Sequence, residues 1–230
     1  MAAILDAAQR IPVPRWRPTA AQVRLASGLV LFAFAATHFL NHAVGLVSID
    51  AMESVRDIRV AVTRSAPGTF ILLLSALTHF VLGVWRFLKR RTRRIRPNEW
   101  VQLAFGLLIP LLLLRHVIGT RIAHEAYGIN DNYVYALWTM WPAEAARQAT
   151  LMLLVWVHGS IGLHHWLMLK PWYQRTRWLW NGAAVLIPAL GFAGFASAGN
   201  VARFETDFDN PYTPDQIELF HRIMDWALYG

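Results

Sequence analysis

The 230-residue sequence predicts an all-α membrane protein, a bundle of five transmembrane helices, on three observations. It is 56% apolar with a mean hydropathy of +0.33, more apolar than an ordinary soluble domain. Five apolar runs, at 22–48, 67–88, 100–122, 149–170 and 178–199, each reach the roughly 20 residues needed to cross a bilayer core about 30 Å thick. The segments between the runs alternate between strongly basic and neutral or acidic, the pattern that orients membrane helices.

In order along the chain, segment 1–21 carries Arg10, Arg15 and Arg17 among prolines. It has no short apolar core before a cleavage site, so it is expected to be an inner-side segment and not a secretory signal. The first run ends in THFLNHAVGL, 37–46, and the loop after it is charge-balanced, with Asp50, Glu53, Arg56, Asp57, Arg59 and Arg64. The second, with THFVLGVWRF at 78–87, leads into Arg86, Lys89, Arg90, Arg91, Arg93, Arg94 and Arg96. The third, EWVQLAFGLLIPLLLLRHVIGTRIA at 99–123, leads into a mildly acidic, aromatic loop. The fourth, with VHGSIGLHHW at 157–166, leads into Lys170, Arg175 and Arg177. Glycines of the fifth, in AGFASAG, are expected to pack helices.

The positive-inside rule then places the N-terminus on the inner, cytoplasmic side of the membrane and the tail outside. Residues 22–199 form one transmembrane domain, and 200–230 an acidic outer tail. In the tail, Thr213 as N-cap, Pro214 at N1 and Gln216 at N3 predict a helix over 214–229. It is either an amphipathic surface helix or the start of a sixth crossing. The net charge of +8 is concentrated in two loops, which suits membrane lipid headgroups and not nucleic acid. No cysteine is present, which excludes disulfides, thiolate metal sites, iron–sulfur clusters and covalent c-type heme.

Nine histidines remain to be explained, and four of them, His38, His79, His116 and His158, lie one in each of four runs. A single membrane histidine is explained by a hydrogen bond to a neighbouring helix. One in each of four helices points to a common cause, and bis-imidazole ligation of two b-type hemes supplies it. Depths counted from the nearest inner charge pair His79 with His158 toward the inside and His38 with His116 toward the outside. The two levels differ by about six residues, roughly 9 Å. Gly83 and Gly162 each follow an inner histidine by four residues, where they either clear space for a flat macrocycle or pack helices. Arg115 and Arg121 flank His116 as candidate partners for heme carboxylates. His42 shares a face with His38 and is an alternative ligand.

A quinone site is expected near the outer pair, where His42, His124, Glu125 and Tyr127 cluster at the ends of the first and third runs. Imidazoles there would hydrogen-bond the carbonyl oxygens and pass protons. Tyr133, Tyr135, Trp138 and Trp141 either line that slot or form an interfacial aromatic belt. His164 and His165 are the corresponding inner-side candidates.

The four histidine motifs, in this order, resemble the five-helix diheme cytochrome b membrane anchor of succinate:quinone oxidoreductases and fumarate reductases. The resemblance covers about 22–199. It implies His38 and His116 as ligands of one heme b and His79 and His158 of the other, with menaquinone or ubiquinone as redox partner. It also extends to the membrane module of bacterial membrane-bound adenylate cyclases, with the tail opening a sixth crossing. Either a redox sensor with a cytoplasmic output domain or an anchor for flavoprotein and iron–sulfur subunits is implied. In neither case is the chain an enzyme alone. A second copy of the chain is a further candidate partner, and a heme-free transporter bundle is the reading from another class.

Overall fold

The computed structural model describes residues 18–90, 96–205 and 213–229, and among these the regular structure is entirely helical. Most of segment 1–21, residues 91–95 of the basic loop and residues 206–212 of the acidic tail lie outside the described residues. In chain order the α-helices are α1 (Ala20–Ala43), α2 (Ile49–Thr63), α3 (Ala66–Leu88), α4 (Pro97–Val117), α5 (Ala123–Tyr127), α6 (Tyr133–Met140), α7 (Ala145–Leu167), α8 (Pro171–Asn200) and α9 (Pro214–Tyr229). A π-helical stretch, Ile118–Ile122, continues α4 into α5.

Local chemistry sets the starts. Thr19 and Gln22 close a capping box on α1, and Ser48 and Ser65 cap α2 and α3 through their side chains. Asn132 caps α6, and prolines open α4 and α8, where a missing N–H costs nothing. Gly128, at φ 67°, ends α5 in the left-handed region that a glycine enters freely.

Side-chain contacts fix the directions of the long helices. Gly191 meets Phe39 and Gly194 meets His42 and Ala43, so α8 runs parallel to α1. Phe39 packs on Trp156 while Gly159 packs on Phe32, so α7 runs antiparallel to α1. Asn98 reaches His165 and Gln102 reaches His158, so α4 is antiparallel to α7. His79 lies against the first turns of α1 while Thr69 meets Arg121, so α3 also runs opposite to α1 and α4. We call the end where α1 begins proximal and the other distal.

Four helical stretches, Ala20–Leu46, Ala66–Leu88, Pro97–Tyr127 and Pro171–Arg203, are long and apolar enough to cross a membrane, which makes this a multi-pass membrane protein. The fourth sequence run, now α7, is long enough at 23 residues but is diluted by Arg147, Gln148 and three histidines. It packs against α1, α4 and α8, burying Leu151, Met152, Leu154, Trp156 and Leu167. The outward faces of α3 and α4 are bare leucine, with Leu73, Leu77, Leu111 and Leu114 all exposed. Such faces suit lipid and would be untenable in water.

Two expectations change. The loop after the first run folds as α2, with Met52 completely buried beneath it. The two tyrosines of the third loop are core and not belt, Tyr133 4% and Tyr135 2% exposed, with the Tyr135 hydroxyl donating to the Gly119 carbonyl at 3.1 Å and Tyr133 lining the cavity, while Trp138 and Trp141 are half-buried. The exposed tryptophans, Trp85, Trp100, Trp166, Trp172, Trp178 and Trp180, gather at the proximal end, where such a belt is found at the membrane–water interface. Helix α9 forms where the capping residues predict it. Its Leu219 packs on Ile118, Ala123, Ile129 and Tyr135, so the helix docks at the distal end of α4.

Candidate functional site

The four membrane histidines meet in two pairs. His79 on α3 and His158 on α7 face each other with ring centroids 6.1 Å apart and planes at 83°. His38 on α1 and His116 on α4 do the same at 6.1 Å and 63°. Both distances match the spacing that two imidazoles on one metal would have. A metal–imidazole bond of about 2 Å on each side, plus about 1 Å from each nitrogen to its ring centre, gives roughly 6 Å between two axial rings. Among the described residues no cluster of three or more His, Asp or Glu side chains is placed to hold a bare ion. His79 and His158 stand as a pair, and at the distal end His42 joins His38 and His116.

The proximal pair is built by a repeated device. His79 Nδ1 lies 3.1 Å from the carbonyl of Arg24 on α1, and His158 Nδ1 lies 2.8 Å from the carbonyl of Gln102 on α4. One turn on from each carbonyl stands a glycine that the imidazole edge overlies. A Cβ at Gly28 would sit 2.7 Å from His79 Cε1, and one at Gly106 would sit 2.8 Å from His158 Cε1. The sequences are RLASG, 24–28, and QLAFG, 102–106, and each is followed by a distal histidine at the same distance, His38 or His116. The α1–α3 and α4–α7 pairs are thus two copies of one arrangement. Carbonyl acceptance of Nδ1–H fixes the tautomer and leaves Nε2 of both rings free to ligate. Gly28→Val and Gly106→Val are expected to lose about 1–3 kcal/mol each by overpacking against these rings, read by unfolding in detergent.

The distal pair is different. Nδ1 of His38, His42 and His116 is buried with no hydrogen-bond partner. His42 stands beside His38 at 4.5 Å and is boxed by Tyr133 at 5.6 Å and Phe195 at 5.4 Å. The 6.1 Å partner of His116 is His38.

One cavity of about 1850 Å³ joins both pairs and reaches both ends of the bundle. Single small-molecule pockets hold about 300–1,000 Å³, so this space is sized for more than one such ligand. Gly83 and Gly162 line it. No atom lies within 4 Å of where a Gly83 Cβ would be, and at Gly162 only Gln102 Nε2 does, at 3.0 Å. Arginines stand at both mouths: Arg24, Arg86, Arg90 and Arg96 proximally, and Arg56, Arg59, Arg64 and Arg121 distally. The α2 arginines were hidden from sequence reasoning because their segment reads as a balanced loop. Burial pushes the Arg59 guanidinium down from its ordinary value, and neighbouring Arg56 and Arg64 add to this.

The remaining expected residues are placed as follows. Arg121 pairs with Glu125 at 3.0 Å and reaches Thr69 at 3.3 Å. Arg115 does not line the cavity, and its Nε and Nη2 are buried without a partner. His124 is bound to the Ile129 carbonyl at 2.9 Å and half exposed, while Tyr127 is exposed. His42 faces the cavity and His124 does not, so the structure does not bring these two together on one wall. At the proximal end His165 lines the cavity, and His164 is held by the Tyr173 hydroxyl at 2.8 Å.

No protein-family model matches the chain, and no curated protein matches it.

Proposed function

We propose that the chain is a diheme b-type cytochrome module that exchanges electrons with membrane quinone, menaquinone or ubiquinone, and relays its redox state to an output domain or partner subunit. The observation that carries this reading is the pair of facing imidazoles at 6.1 Å, occurring twice along one cavity. His79 and His158 would hold the proximal heme and His38 and His116 the distal one. When bound, each heme would supply reversible one-electron chemistry, and with two histidines holding it the chain would offer it for electron transfer and not for substrate binding.

The chain's own groups do the positioning. The Arg24 and Gln102 carbonyls orient the proximal imidazoles, and Gly28 and Gly106 let those rings lie flat against α1 and α4. Gly83 keeps the cavity open one turn from His79. His42, at the cavity wall beside His38, supplies a donor for a quinone carbonyl and a route for its proton.

The proximal end carries Arg86, Lys89, Arg90, Arg96, Lys170, Arg175 and Arg177, which supports a cytoplasmic orientation for it. An attached adenylate cyclase, or the flavoprotein and iron–sulfur subunits of a succinate dehydrogenase or fumarate reductase, would dock there. In the cysteine-free chain, Glu125→Cys should react with an impermeant thiol reagent added outside whole cells. Lys89→Cys should react only after lysis, and the reverse result would invert the orientation.

The test of the central reading is a dithionite-reduced minus oxidised spectrum of purified protein with a pyridine hemochrome assay. Two low-spin hemes per chain are expected, and added quinol should reduce both. A ratio near one, or no heme, sinks the proposal.

A further inference from the structure

A buried cation needs an anion, and at the distal end Glu53 and Asp57 lie 3.7 and 3.3 Å from Arg56, but the carboxylates are shared unequally among Arg56, Arg59 and Arg64. Asp131 takes two of them. Arg56 Nη2 lies 3.0 Å from Asp131 Oδ1, and Arg64 binds both carboxylate oxygens. Arg121, the other cation at this mouth, is engaged by Glu125 and Thr69. Arg59 makes no ion pair among the described residues, and its Nε is buried without a hydrogen-bond partner. It lines the cavity all the same.

Its position relative to the distal histidines is well defined. The Arg59 guanidinium lies over the Phe34 ring, 5.6 Å from the centroid. Phe34 is stacked on His38 at 5.9 Å with the planes 18° apart. The Tyr133 phenol lies beside the guanidinium. An aromatic face below and a phenol alongside hold a planar fork of donors in one orientation at the edge of the His38–His116 clamp.

We propose that Arg59 binds a carboxylate of the group clamped by His38 and His116, which on the heme reading is a propionate of the distal heme. The inference rests on that reading. The guanidinium fork matches a carboxylate in two parallel hydrogen bonds, and the pairing supplies a counter-charge that no described residue gives Arg59. A fixed cation at the edge of a heme favours the reduced form, which carries one positive charge fewer. Arg59 therefore belongs to the distal heme alone and raises its potential.

The experiment uses the full chain in detergent or membranes, with Arg59→Gln and Arg59→Lys. The distal heme is identified as the one lost in His116→Ala. In Arg59→Gln the oxidised-to-reduced equilibrium of the distal heme should shift about tenfold toward oxidised, about 59 mV for a one-electron couple. Arg59→Lys should recover most of the shift, and the proximal heme should not move. Loss of the distal heme in Arg59→Gln, with recovery in Arg59→Lys, supports the assignment equally. Two retained hemes with an unshifted distal potential overturn it, as does an equal shift in both variants, which would mark packing and not charge. A wild type without heme overturns the parent reading as well, and the hemochrome assay reveals that before any variant is made.

Discussion

His79→Ala and His158→Ala should each leave one heme per chain, and it should be the same one. The two side chains come from different helices, yet their rings meet at 6.1 Å, and each ring is pinned from behind by a carbonyl of a third or fourth helix. On the proposed reading, removing either would take away half of the histidine pair that holds that heme, and its loss from the purified chain is the expected result. His38→Ala and His116→Ala should do the same to the other heme, although their Nδ1 atoms lack such carbonyl partners. Hemochrome ratios and redox titrations of the four variants check the pairing. Loss of different hemes in His79→Ala and His158→Ala would dismantle it. Retention of both hemes in His38→Ala with loss in His42→Ala would transfer the ligand role one turn along α1.

Much of this arrangement was legible in the sequence, for identifiable reasons. Lipid demands long apolar helices, so the runs containing Phe32, Leu73, Leu111 and Leu186 declare themselves by length alone. The histidines stand out because polar groups in such runs need partners. Their pairing followed from counting residues to the nearest charge, but the vertical separation did not. That counting gave about 9 Å, whereas His79 lies at the level of Gly28, ten residues from His38 along α1, or about 15 Å. Counting from charges assumes that the reference charges share one height, whereas Arg24 on α1 lies level with His79, two turns inside Arg86 on α3. The RLASG and QLAFG segments are a visible repeat, yet their meaning depends on which helix packs against which. α2 was missed because its apolar residues are interleaved with six charged ones over Ile49–Thr63 and the adjoining Arg64, and its burial comes from the bundle beneath it. For Tyr133 and Tyr135 composition left open a slot lining or an interfacial belt, since aromatic loops beside membrane helices commonly form belts. They are instead the floor on which α2 and α9 rest.

Asp131→Ala should be among the most destabilising single substitutions in the protein, by about 3–5 kcal/mol. Asp131 sits in the loop before α6 with its side chain only 2% exposed. It accepts from Arg56 and, through both oxygens, from Arg64, whose side chains are 13% and 20% exposed. His124 lies 3.6 Å away. One carboxylate thus ties α2 to the distal end of α5 and the start of α6. Truncating it strips the counter-charge from Arg64 and the most buried partner from Arg56, which keeps Asp57 at 3.3 Å and Glu53 at 3.7 Å, and both stand beside Arg59, whose Nε already lacks a hydrogen-bond partner. The cost is the burial of unpaired charge more than the loss of an attraction. Removing Arg64 as well, in Asp131→Ala/Arg64→Leu, should therefore recover part of the loss, because one fewer cation is left stranded. Unfolding by denaturing detergent in mixed micelles, run as a double-mutant cycle, measures both quantities. A single-substitution cost below about 1 kcal/mol would place Asp131 with ordinary surface ion pairs. It would mean that α2 is held over the cavity mouth by the packing around Met52 and not by this carboxylate.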